Sequence, residues 1–153
     1  MKWRNCFYCL VVVLFVVTGC QPKNQDIPSA KDGVLDLTNW NFEKEGLVKL
    51  NGEWEFYWKQ FYFHEDFLLA EENQKTGNIV VPGIWRYQDF GATDVDWYGY
   101  ATMRLKILLP PGQKKLLMEI ENIRTAYELE ANGEIVATCG QIGTSVDTSK
   151  PEF

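Results

Sequence analysis

The chain has 153 residues, enough for one domain with a real core and hardly enough for two. Aromatic residues make up 14% of it, with six Trp, a composition that suits the pleated, half-buried surfaces of β-sheets. A formal charge of −6 argues against a protein that tracks nucleic-acid phosphates; beyond that, an acidic surface implies solubility and little more.

Lys2 and Arg4 form a basic start, and an apolar run follows from Cys6 to Val17. Extended to Cys20 the run has 15 residues. At about 1.5 Å per residue it reaches roughly 22 Å, short of a ~30 Å hydrocarbon core. A secretory signal peptide over residues 1–19 is therefore expected, and with it export to the periplasm or cell surface. Its end, Val17-Thr18-Gly19-Cys20, resembles the lipobox of bacterial lipoproteins. That resemblance implies cleavage before Cys20 and acylation of the exposed cysteine, and each buried CH₂ adds ~0.8 kcal/mol to membrane attachment. The other reading is an ordinary export signal with an incidental Cys20. Cleavage removes Cys6 and Cys9, and lipidation occupies Cys20, so Cys139 has no partner for an internal disulfide. Loss of Lys2 and Arg4 takes the formal charge from −6 to −8.

Gln21 to Asp32 is polar, carries Pro22 and Pro28 and has no apolar period, so residues 20–32 read as a lipidated cysteine and a tether. Residues 33–153 read as the folded domain, opened by Gly33-Val34-Leu35-Asp36-Leu37. Asn51-Gly52 predicts a tight hairpin turn with Val48 and Leu50 in its first arm. In the second arm Trp54, Phe56 and Trp58 share one face, against Glu53, Glu55, Tyr57 and Lys59 on the other. The aromatic face is expected in the core and the charged face in water. Gln60 to Ala70, with Phe61, Tyr62, Phe63, Phe67, Leu68 and Leu69, has spacings closer to a helical turn than to a strand. Ile79 to Val81 is a short strand stopped by Pro82-Gly83, and a long polar, aromatic loop follows. Tyr100 to Leu109 alternates as one long strand ended by Pro110-Pro111-Gly112. Leu116 to Ile120 is a further strand, and Asn132-Gly133 joins strands over 125–131 and 134–138. Short strands without strand–helix alternation predict an antiparallel β-sandwich. The chain stops where another strand should begin, so the expectation is a sandwich truncated at its C-terminal end.

The order of motifs resembles one family. "LNGEWEFYW" at Leu50–Trp58, "VPGIW" at Val81–Trp85, "GYATMRL" at Gly99–Leu105 and "ANGEIVATCGQIGTS" at Ala131–Ser145 are similar to the periplasmic domain of bacterial seven-transmembrane receptors with diverse intracellular signalling modules. "GVLDLTNW" at Gly33–Trp40 fits the same pattern. The resemblance implies a galactose-binding-like jelly roll, a carbohydrate or small polar ligand, and a membrane-embedded output encoded downstream. The chain is also similar to the non-catalytic jelly-roll domain of family-two glycoside hydrolases, where a comparable Pro-Gly-x-Trp loop precedes a strand and an Asn-Gly hairpin. A free-standing surface lipoprotein and the leading domain of a hydrolase are the alternatives.

No nucleophile–base pair stands out, so no catalysis is expected. His64, the only histidine, lies before Glu65 and Asp66 and reads as solvated or capping. One histidine and Cys139 cannot make the usual zinc sets, and Asp89, Asp94 and Asp96 read as loop acids rather than Ca²⁺ ligands, so no metal or other cofactor is expected. Trp85, Arg86, Trp97, Tyr98 and Tyr100 are the candidate ligand-binding residues. Sugar rings stack their apolar C–H faces on aromatics, and their hydroxyls pair with Arg, Asp and Asn side chains. The same tryptophans could instead plug the open end of a sandwich.

Overall fold

The computed structural model describes residues 27–69, 73–113, 115–120, 123 and 125–152. The signal peptide, Cys20 and the tether up to Asp26 lie outside them. The described residues form an all-β fold, mostly antiparallel, with two short helices and one 3-10 turn.

Strand β1 (Val34–Asp36) pairs in parallel with β5 (Lys106–Leu108). Strand β2 (Gly52–Trp58) is the centre of a three-stranded antiparallel sheet, between β3 (Gly77–Val81) and β4 (Ala101–Arg104). Strands β6 (Tyr127–Ala131) and β7 (Glu134–Cys139) form a separate hairpin. Helix α1 is Phe42–Glu45, α2 is His64–Leu69, and the 3-10 turn is Trp85–Tyr87.

The three Asx-Gly pairs of the chain behave differently. Asn132-Gly133 turns the β6–β7 hairpin as expected, with both residues at positive φ (54° and 87°), the geometry a type I′ turn requires. Asp32-Gly33 does the same (48° and 76°), with Lys31 and Val34 exchanging two backbone hydrogen bonds of 2.9 Å. Asn51-Gly52 does not turn a hairpin, and Val48 and Leu50 are not in a strand. Gly52 is instead where the backbone of residues 29–31 lies against β2. The Ala30 amide donates to the Asn51 carbonyl (2.8 Å), and the Glu53 amide to the Ala30 carbonyl (2.9 Å). A Cβ on Gly52 would lie 2.5 Å from the Ala30 nitrogen, so glycine is there for close approach. Ser29 to Asp32, read from sequence as the end of a tether, are therefore built into the fold, and Ala30 is buried.

That inserted segment also divides the long strand predicted over residues 100–109. Up to Arg104 its partner is β2; from Lys106 its partner is β1. The exchange occurs at Gly33, whose amide donates to the Glu53 carbonyl (3.0 Å) and whose carbonyl accepts from the Lys106 amide (2.8 Å). β1 then closes on an Asx turn, in which the Asp36 carboxylate accepts from the Thr38 hydroxyl (2.7 Å) and amide (2.9 Å). These bonds, the side-chain one first, hold Asp36 below its ordinary carboxylate range.

One face of the β2 sheet is covered and the other is covered in part. Phe56 and Trp58 are buried on one face with Ile79, and the loop after β3 folds back to add Phe90 and Val95. Trp54 joins this cluster to a second one built on Ala30, Leu35 and Leu37. The face expected in water is covered at Tyr57, which is buried under Tyr62 and Phe67 at ring distances of 5.3 and 5.4 Å, while Lys59 is exposed and Glu53 and Glu55 are half-buried. Alternation within β2 shows two faces, but the apolar cover over Tyr57 arrives from α2 and the segment before it.

Leu116 to Ile120, expected as a strand, forms none, and Leu117 is 90% exposed. A strand needs a ladder partner, and this segment has none among the described residues.

Candidate functional site

The residues proposed from sequence fall on the loop between β3 and β4. Its roots are fixed in the core. Trp85 packs edge-on against Trp58 at 5.4 Å and tilts over Phe56 at 6.4 Å, while Phe90 stacks on Phe56 at 4.6 Å. Each such pair contributes about 0.5–1.5 kcal/mol beyond burial. Gln88 adds a polar clamp: its side-chain oxygen accepts from the Val80 amide (2.6 Å) and its nitrogen donates to the Val80 carbonyl (3.0 Å). That amide takes the place of a strand on the outer side of β3.

Above these roots the loop turns aromatic side chains outward. Tyr87 is 73% exposed, Trp97 51% and Tyr98 80%. Tyr87 and Trp97 meet edge to face at 5.1 Å with an interplanar angle of 89°, so each restricts the other's rotation. Asp96 holds the turn beneath Trp97 by accepting from its amide (2.6 Å), and Asp89 accepts from the Gly91 amide (2.8 Å). These two aspartates thus shape the loop. Arg86 and Asp94 are exposed on the same loop.

The five candidates therefore divide. Arg86, Trp97 and Tyr98 face solvent on the loop. Trp85 is half-buried and packed against the core cluster, and Tyr100 is half-buried against Phe61 at 4.7 Å. Tyr87 joins the exposed group; its place in the same aromatic run was legible, but its pairing with Trp97 was not.

Sequence reasoning also missed a cleft of about 530 Å³ where the described chain begins. Ile27, Pro28 and Ser29 line it together with Trp40, Glu45, Leu47, Lys49 and Asn51. The Trp40 indole is oriented by donating to the Gly46 carbonyl (3.2 Å) and rests on the Leu35 cluster.

On the opposite face of β2, Glu55 pairs with Arg104 (3.1 Å) and accepts from the Tyr57 hydroxyl (3.1 Å). The Arg104 guanidinium lies 4.5 Å over the Phe67 ring. Burial and the neighbouring Glu55 charge push the Tyr57 phenol up to about 12, with Arg104 opposing. His64 is half-buried at the start of α2; its amide donates to Glu130 (2.9 Å), and Gly133 of the hairpin turn seats against its ring. The lone histidine is thus a docking point for the β6–β7 hairpin. Among the described residues no three His, Cys, Asp or Glu side chains gather as a metal site. No described helix is long and apolar enough to cross a membrane.

Comparison with known proteins finds no matching family model, no matching curated protein and no matching solved structure.

Proposed function

We propose that the chain is the extracytoplasmic ligand-binding module of a bacterial membrane signalling receptor. In this reading it is a galactose-binding-like jelly-roll sandwich, exported and held at the membrane through Cys20. It takes a carbohydrate or small polar ligand on the loop after β3 and carries out no catalysis of its own. One observation carries the ligand site: Tyr87, Trp97 and Tyr98 stay in water on a loop whose roots are buried. Exposing three large aromatics is costly unless something covers them, and a rigid base keeps the ordering cost of binding low. Arg86 and Asp94, exposed on the same loop, are a donor and an acceptor for hydroxyl groups. The ordered motifs from Leu50 to Ser145 support the receptor assignment. Ligand binding would bias the receptor between two states by differential affinity.

The test is a glycan array followed by tryptophan-fluorescence titration of the hits. Trp97→Ala is expected to weaken binding at least about tenfold, the loss of roughly 1.4 kcal/mol, while leaving the melting temperature within a degree or two. Unchanged affinity in Trp97→Ala and Tyr98→Ala would remove the loop as the site. Sequencing the gene past Phe153 checks the receptor assignment, with seven apolar spans expected.

A further inference from the structure

The cleft at Trp40 has two exposed aliphatic side chains on its rim. Leu47 is 85% exposed and Ile27 is 74% exposed, and both line the same opening. Leu47 is not a loosely hanging side chain. Asn41 caps α1 by accepting from the Glu43 and Lys44 amides (3.1 Å each), and Gly46 ends it at φ 78° with its amide bonded to the Phe42 carbonyl. This closed turn holds Leu47 outward. Lys49 lines the cleft with no carboxylate at ion-pair distance among the described residues. The lining carboxylate, Glu45, is already engaged, accepting from the Asn41 amide (2.9 Å).

Aliphatic side chains, an indole at their base and a lysine that forms no ion pair among the described residues make up the chemistry of a bilayer interface. Aliphatic groups enter the headgroup–acyl boundary, tryptophan lies at headgroup level, and lysine meets lipid phosphate. Chain length points the same way. Residues 21–26 alone separate Cys20 from Ile27, so at about 3.5 Å per residue the cleft lies within roughly 25 Å of the lipid-bearing cysteine.

We propose that the rim of the Trp40 cleft is the membrane-contacting face of the domain, with Ile27 and Leu47 in the interface and Lys49 on phosphate. The proposal rests on the Cys20 anchor. It makes the anchor directional: the lipid brings the domain to the bilayer, and the rim sets which side faces it.

The test uses the full, processed protein in phosphatidylcholine–phosphatidylglycerol vesicles with Cys139→Ser as background. Leu47→Cys carries an environment-sensitive fluorophore, and Thr93→Cys on the ligand loop is the reference in water. Quenching by brominated lipid is expected to be at least about threefold stronger at position 47 than at 93, with iodide showing the reverse order. Adding Ile27→Asp should reduce lipid quenching at 47 while the protein stays on the vesicles. Equal quenching at 47 and 93 in vesicle-bound protein overturns the docking face and leaves the anchor standing. An unmodified Cys20 mass with protein that washes off the vesicles overturns both.

Discussion

Replacing Gly52 by alanine isolates what the close approach of residues 29–31 contributes. Its φ of 115° lies outside the regions open to other residues, which costs about 1–3 kcal/mol. The added Cβ would also lie 2.5 Å from the Ala30 nitrogen and 2.6 Å from the Ser29 hydroxyl, so the segment must move away. Moving it breaks the Ala30–Asn51 and Glu53–Ala30 hydrogen bonds, at about 1 kcal/mol each. The expected loss is about 3–5 kcal/mol, a large part of the ~5–15 kcal/mol typical of a domain. Gly46 is the control: its φ is 78°, but a Cβ there has nothing within 4 Å. Gly46→Ala should therefore carry only the backbone strain, leaving a gap of about 2 kcal/mol between the variants. Equilibrium urea unfolding followed by tryptophan fluorescence reads both, and hydrogen exchange at the Ala30 and Glu53 amides locates the change. Equal destabilisation by the two substitutions would refute the close-approach argument.

Trp85→Ala should destabilise by about 2–3 kcal/mol, since it loses its contacts with Phe56 and Trp58, whereas Trp97→Ala stays within about 0.5 kcal/mol. Thermal melts of both variants decide this, and the reverse order would exchange the roles of plug and ligand platform. Tyr57 gives a pH signature. Its folded value of about 12 lies above its ordinary 10, so the stability it contributes is complete below pH 10 and is lost as the pH rises toward 12. Tyr57→Phe should flatten that alkaline loss in urea midpoints; an unchanged pH profile would mean that the phenol is not held neutral by its surroundings.

Much of the local structure was legible in the residues themselves. Trp54, Phe56 and Trp58 lie on one face because a strand has a period of two, and Asn132-Gly133 turns because both residues tolerate positive φ. The helical spacing before Ala70 becomes α2. Asp32-Gly33 carried the same turn signal as Asn132-Gly133, and its setting in a polar, proline-bearing stretch concealed it. The loop between β3 and β4 was legible as a long aromatic run, but not the division between Trp85 against the core and Trp97 in water.

What the residues determined alone is therefore local: allowed backbone angles, strand period, helix spacing and turn chemistry. Tertiary structure decided who pairs with whom. Asn51-Gly52 has the composition of a hairpin, yet the backbone at Ala30 occupies the place its first arm would need. Residues 101–108 alternate without interruption, yet change partner at Leu105, because Gly33, just before β1, bonds to Glu53 on one side and to Lys106 on the other. Tyr57 sits on the charged face of its strand, yet is buried because Tyr62 and Phe67 close over it. In each case the deciding contact comes from a residue at least five positions away, where local conformational preference has no influence and packing does.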